Sequence, residues 1–585
     1  MNVIVAASDA GTLERALRPH HAAGETIRVW SKPGQPLIAA VGTAAVVAAE
    51  QLDDGAVVVT LGSGVQLDAK RALSTTETDN DLVALRLEGD GTMRAVCGTG
   101  HHRLYRADDD SGVWVISSDM ATASAGLAAP TLDRSREDFL LGFGFLPAGS
   151  TAIAGVRALA PGGIETLDGA RTDLDAVPSQ PTGAGLLELL GRTVERWAEG
   201  SDHHAVLLGG LDSALVAALL RQAGKRVTAY TFDLGDPTMN QANIDLVCRT
   251  LDIDHAWVPI TPDALFDGLL RFPAVIGEPS AQPHYQLHTL IACERIAADG
   301  FPLVFTGDGC DAAFLGYPTV SQRSSVQRSI NRLPAAVRGL LTRALAAGPV
   351  EARLGHVSRV ARSTLAAAQL PFPASDHLPT QYLDDAARDR LRRGERPPQA
   401  ESVTETRVRL AAGLDHLDPI RVAFAGNGAT GASRAKVAGA VATTGVAQIS
   451  PFVDPAVKAF AADLPVQALR STGTSSRAIG KEALVDAVLE ANLLPAEVVH
   501  QPKQSPATAP VDDWYSGPLR SELVDLFDHL PFDWDRRYVD RLLAPGRIDG
   551  LYRDRVTLSK HVMQAVGILA AYASFGRHAD LLRHG

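Results

Sequence analysis

The chain has no excess of positive charge: across 585 residues, 55 Lys and Arg stand against 67 Asp and Glu, a formal net charge of −12. Polyanion binding needs basic residues in excess over at least one domain, so this balance argues against a nucleic-acid binder. Nor is there an uncharged apolar stretch of the roughly 18 residues that spanning a bilayer requires. The Ala-rich run from Ala435 to Ala447 is too short, and its side chains are too small. Cysteine is scarce: Cys97, Cys248, Cys293 and Cys310 lie far apart without a Cys-x-x-Cys, which fits free thiols in a reducing compartment rather than a disulfide framework or zinc site. Cys97 with His101 and His102 lacks a fourth ligand at metal-site spacing. The short apolar run at the N-terminus has no basic segment before it, so no secretory signal and a cytoplasmic location are expected. Hydrophobic content, in contrast, is ample at 46%. The length leaves room for roughly two to four domains.

The rest of the chain is organised around residues 205 to 217, Ala-Val-Leu-Leu-Gly-Gly-Leu-Asp-Ser-Ala-Leu-Val-Ala. The apolar run up to Leu208 reads as a buried parallel strand, Gly209 and Gly210 as a tight turn, and Ser213 to Ala223 as the next helix. Such a strand, loop and helix can cradle a phosphate: glycine N–H groups approach the anion, the helix N-terminus adds partial positive charge, and Asp212 can hold magnesium beside it. An ordinary βα turn would read the same way.

Before this stretch, residues 1 to 170 carry short β-type runs, Val3 to Ala6, Ala56 to Leu61, Asp81 to Leu87, Arg94 to Cys97 and Gly112 to Ser117, which predict a mostly antiparallel, two-layer domain. Residues 171 to 185, with Pro178, Pro181, Gly183 and Gly185, read as a linker. A helix with Leu186, Leu189, Leu190, Thr193, Val194 and Trp197 on one face follows. Strands at 203–208, 226–232, 255–258 and 302–306 then alternate with helices, which predicts a parallel sheet with ligands at its carboxyl edge. Residues 318 to 440 read as a helical insertion broken at Pro371 to Pro379 and Arg392 to Gln399. The stretch from 510 to 585 reads as C-terminal helices packed through Trp514, Trp534 and Tyr552.

Three segments fall at that edge. Tyr230-Thr231-Phe232 ends the second strand, and Asp254-His255-Ala256-Trp257 forms the third, where His255 reads better as structural than as functional. Thr306-Gly307-Asp308-Gly309-Cys310-Asp311-Ala312-Ala313-Phe314-Leu315-Gly316-Tyr317 places acidic residues between glycines directly after an apolar strand. Gly473 to Lys481 is not a Walker A loop: the spacing is too long, and Glu482 stands where Ser or Thr is needed.

These segments together resemble the asparagine synthetase branch of the ATP pyrophosphatases. Gly209 to Ser213 is similar to the Ser-Gly-Gly-x-Asp-Ser pyrophosphate loop, and residues 306–317 to the Ser-Gly-Asp-Gly-x-Asp-Glu-x-Phe-x-Gly-Tyr loop. Phe139 to Thr166 looks like the close of the family's N-terminal glutaminase domain of the Ntn type, and Leu494 to Gln504 matches the segment that carries its catalytic lysine. The resemblance implies ATP and Mg²⁺, with Leu207, Gly209, Gly210, Asp212, Ser213, Thr231, Phe232, Gly307 and Arg477 toward the nucleotide. It further implies Asp212 and Asp311 as metal ligands and Lys503 as the catalytic ammonium; Asp308 is the candidate base for the amine.

Several positions depart from the family pattern. Leu208 replaces a Ser, Ala312 a Glu, Gln501 an Arg, and Ala447 and Ile449 a Glu and an Arg; Arg477 and Lys481 exchange two basic residues. Asn2 stands where the family's glutaminase has its N-terminal Cys nucleophile, so glutamine hydrolysis is not expected and the attacking amine should be the substrate's own. The implied fold is α/β: a degenerate glutaminase-like domain over 1–170 and a synthetase domain over 186–585. The implied activity is that of a lasso peptide cyclase, which adenylates a side-chain carboxylate of a precursor (core) peptide and closes a macrolactam with the peptide's N-terminal amine. A leader peptidase and a leader-recognition protein would be its partners. Cyclisation of a small β-amino acid, as in β-lactam synthetases, is the alternative, and a non-catalytic peptide-binding scaffold a third reading.

Overall fold

The computed structural model describes the chain except for residues 1, 24, 32–34, 43–46, 63–81, 99–100, 110, 174–184, 236–240, 347–355, 379–380, 429–431, 470–480, 501–509, 545–555 and 585. The protein is mixed α/β, with antiparallel sheets in its N-terminal part and a parallel sheet with many helices in its C-terminal part. Among the described residues no helix is long and apolar enough to cross a membrane.

Val3–Ala7 is buried at all five positions because both of its faces are covered. Successive side chains on a strand point to opposite faces. Val3, Val5 and Ala7 accordingly join Leu13, Ala16 and Leu17 of the helix Ala10–Ala22, while Ile4 and Ala6 join Val57, Val59, Val83 and Leu85 of a second sheet. The two-layer expectation therefore gains a third layer, made by Ala10–Ala22 and Met120–Ala125. Each helix starts on an aspartate cap: Asp9 accepts from Thr12 N and Asp119 from Thr122 N. Arg171–Asp173, expected to open the linker, instead forms an edge strand paired with Gly163–Thr166. Residues 174–184 lie outside the described residues.

In the C-terminal part, five parallel strands run in the order Asp254–Pro259, Arg226–Asp233, His203–Leu207, Leu303–Phe305, Ala447–Ile449. The first strand in sequence is central, and the chain passes to one side of it and then to the other. A crevice opens at the carboxyl ends where this direction switches. The switch lies between His203–Leu207 and Leu303–Phe305, so the loops after these two strands face each other. Ala447–Ile449, read from the sequence only as part of a motif, is the fifth strand; Ala447 and Ile449 fill its core face.

Residues 318–440 contribute the helices Pro318–Asn331, Ala335–Ala346, His356–Ala367, Asp385–Leu391, Val403–Ala411 and Pro419–Gly428, and Ala432–Thr444 follows. The helix Val556–His584 is buried continuously from Met563 to Phe575, where it packs into the core shared by the sheets and the helix Pro283–Ala298. Trp514 is buried, and Trp534 packs against Phe527; Tyr552 lies outside the described residues.

Candidate functional site

The first strand ends at Leu207, and Leu208, 3% exposed, continues it with an N–H donated to Tyr230 O at 2.9 Å. The chain then turns through Gly209 and Gly210, where a Cβ would meet nothing within 4 Å; both glycines border open space. The helix Leu211–Gln222 begins at once. Ser213 Oγ accepts from Gly209 N at 2.9 Å and Gly210 N at 3.3 Å and donates to Gly210 O at 3.1 Å. The hydroxyl thus satisfies the amides that an anion would otherwise take, and holds the turn in shape.

Thr231 and Phe232 lie just before Asp233, which ends the adjacent strand Arg226–Asp233. Thr231 Oγ1 donates to Leu208 O at 2.9 Å and lies 3.0 Å from His255 Nε2. Its side chain therefore ties the loop to the sheet, and any contact with a nucleotide falls to the backbone. His255 also packs edge-on against Trp257, and burial lowers its pKa, in keeping with a structural histidine. Phe232 packs near the buried His288, whose pKa burial lowers strongly.

The opposing loop follows Leu303–Phe305. Gly309 adopts φ 87° and caps the short helix Cys310–Ala313, which places Asp311 in its first turn. Gly307 is where the loops touch: a Cβ there would lie 2.7 Å from Asp212 Cβ and 2.8 Å from Ser213 N. Only glycine permits that approach.

Two lysines complete the site. Lys481, 2% exposed, donates to Asp212 Oδ1 at 2.5 Å and Oδ2 at 2.7 Å and lies 2.6 Å from Asp311 Oδ1. Burial disfavours its charge, but the Asp212 and Asp311 carboxylates outweigh that and raise its pKa well above the ordinary value. Burial and Asp212 together push the Cys310 thiol far up, so it stays protonated. Lys436, on the helix Ala432–Thr444 and 3% exposed, donates to both Asp308 oxygens at 2.6 Å and to Tyr285 Oη at 3.3 Å. Burial opposes this charge as well, and Asp308 more than compensates. The oxygens proposed to take a proton from an incoming amine are therefore already engaged by an ammonium.

Of the residues expected from sequence, Asp212, Ser213, Gly307, Asp308 and Asp311 thus converge on the carboxyl edge of the sheet, with Gly209 and Gly210 on its open side. Arg477 and Lys503 lie outside the described residues. Lys436, Lys481 and Tyr285 were missing from the expected site. One signal existed: the chain has only eight lysines among its 55 basic Lys and Arg residues, and Lys436 sits within an Ala- and Val-rich helix.

Asp212 and Asp311 present hard oxygens converging on one point that already holds a cationic group, the donor set a Mg²⁺ ion takes when phosphates and water complete its shell. Among the described residues no cluster of three or more His, Cys, Asp or Glu could hold a metal, so an ion here would share its coordination with a ligand. In comparisons with known proteins, the asparagine synthase family matches residues 185–567, which include both loops, both lysines and all five parallel strands. No curated protein matches the chain.

Proposed function

This chain belongs to the asparagine synthase family and is an ATP-dependent amide ligase, and from that premise we propose that it is a macrolactam synthetase acting on a ribosomal precursor peptide. In this reading the 209–213 loop receives the pyrophosphate of ATP, and Asp212 and Asp311 hold Mg²⁺, which neutralises phosphate charge. A substrate carboxylate attacks the α-phosphate, and the peptide's N-terminal amine displaces AMP to form the amide. Lys503 and Arg477 are assigned to the phosphates and the developing charge.

The observation that carries this reading is Asn2. By the resemblance it stands where the glutaminase nucleophile would be, and an amide cannot attack glutamine; in the fold it is 3% exposed, with its side chain donating to Ala442 O at 3.2 Å. With no ammonia made in place, the amine belongs to the substrate, and a substrate holding both reacting ends closes on itself. Ala447, buried in the fifth strand, leaves no carboxylate where β-lactam synthetases have one, which favours a peptide over a small β-amino acid. The Lys436–Asp308 pair is assigned to the acyl side of the pocket, where Lys436 holds Asp308 and Tyr285 in place. A cytoplasmic location, a leader peptidase and a leader-recognition protein belong to the same proposal. The scaffold reading is disfavoured by the retention of Asp212 and Asp311 around one point, with Ser213 holding the adjoining loop.

ATP–pyrophosphate exchange tests the assignment directly. Exchange is expected to rise when a linear peptide with an internal Asp or Glu is added and to stay at background with β-amino acids. The reverse pattern would move the assignment to the small-molecule branch.

A further inference from the structure

The seat between Asp212 and Asp311 is filled by part of the chain itself. Lys481 has φ 61°, a left-handed conformation uncommon for a long side chain, and its carbonyl accepts from Leu484 and Val485 N–H groups at 2.9 Å as the helix Glu482–Glu490 begins. Its backbone is thereby fixed. Its side chain runs past Gly316, where a Cβ would collide with both Lys481 Cε and Asp311 Oδ1; the glycine forms the slot the lysine occupies. At the end of the slot Nζ meets three carboxylate oxygens within 2.7 Å.

We propose that Lys481 is a resident counter-cation: its ammonium holds the seat between Asp212 and Asp311 in the nucleotide-free protein and yields it only when a divalent ion arrives together with a polyphosphate. The proposal rests on the reading of Asp212 and Asp311 as metal ligands. Two carboxylates with one ammonium leave a local charge of about −1, whereas two bare carboxylates repel each other. A metal ion alone would have to evict a buried ammonium with no anion to receive it, at the desolvation cost of an unpaired charge. A nucleotide supplies that anion, since the Lys481 side chain can turn from the aspartates to the phosphates. Metal and nucleotide are therefore coupled, and each raises the affinity for the other by the same factor.

The test needs neither peptide nor turnover. Protein-bound Mn²⁺ is measured by equilibrium dialysis, with and without a non-hydrolysable ATP analogue and with the analogue present on both sides of the membrane. Wild-type protein is expected to retain Mn²⁺ only with the analogue. Lys481→Met, which keeps the length and removes the charge, is expected to bind Mn²⁺ without nucleotide about 5- to 150-fold more tightly than wild type. Mg²⁺ alone should then raise the Tm of the variant and not that of wild type. Retention of Mn²⁺ by wild type without nucleotide overturns the counter-cation, as does a folded Lys481→Met that ignores metal. If the variant does not fold, the two wild-type titrations decide. No Mn²⁺ in either would overturn the metal assignment itself, a result distinct from loss of the peptide reading, which pyrophosphate exchange reports separately.

Discussion

At the scale of single residues the site is two lysine–aspartate clamps set at one sheet edge. Removing one partner of a buried ion pair leaves the other charge unpaired, which costs about 3–5 kcal/mol. Lys436→Met is expected to lose stability on that order in urea unfolding, because Asp308 is left without its ammonium. The double variant Lys436→Met/Asp308→Asn removes both charges and should recover most of the loss without recovering amide formation. Full turnover by the double variant would remove the pair from the acyl side of the pocket. The acidic half of these clamps was legible in the sequence, because Asp212 and Asp311 sit in Gly-rich loops directly after strands. The basic half was not: Lys436 and Lys481 lie more than 100 residues further along the chain, and only folding brings them to those loops.

At the scale of elements, four of the five parallel strands were readable from runs rich in apolar residues that alternate with helical segments. The strands expected at 203–208 and 226–232 are observed as His203–Leu207 and Arg226–Asp233. Ala447–Ile449 was not readable as a strand, since three residues carry no periodicity, and its place is set by pairing with Leu303–Phe305. The helix Ala10–Ala22 escaped for another reason: Pro19 lies inside it and masks the helical pattern. The meeting of the two loops depends on Gly307. Gly307→Ala is expected to push them apart, destabilising the protein by about 1–3 kcal/mol and weakening ATP analogue binding in calorimetry; unchanged affinity would place the nucleotide elsewhere. A second element carries a pH effect. Burial, with Asp513 adding to it, pushes the Asp512 carboxyl in the helix Val511–Ser516 up to about 7. The unfolded chain loses that proton near the ordinary carboxylate value, so the folded state loses stability as pH rises toward about 7 and loses no more beyond it. Asp512→Asn should therefore show a Tm advantage over wild type that grows from about pH 5 to 7 and is constant above; an advantage independent of pH would contradict the buried carboxyl.

At the scale of the whole molecule, the N-terminal sheets and the synthetase part share contacts that reach the site. Asn2 N donates to Ala442 O at 2.6 Å, and Asn2 Nδ2 adds a second bond to the same oxygen, at the end of the helix that presents Lys436. Gly42 makes room for it, since a Cβ there would collide with Asn2 Oδ1. Buried Arg392 donates to Glu137 Oε1 at 2.7 Å, joining the helical insertion to the N-terminal part. Tyr572 of the last long helix donates to the other oxygen of Glu137 at 3.4 Å. The N-terminal part thus braces the Lys436 helix. Asn2→Ala is expected to destabilise by about 1 kcal/mol, and glutamine added to the reaction should leave the product yield unchanged; glutamine-dependent product would restore an ammonia route. The central claim is ring closure by the substrate's own amine. Mass spectrometry of a linear lasso-type core peptide incubated with the protein, ATP, Mg²⁺ and a leader peptidase tests it most directly. The account predicts a product one water lighter, AMP released in equal amount, and loss of both in Lys503→Ala. AMP release with the peptide mass unchanged, or no nucleotide turnover by folded protein, would contradict it.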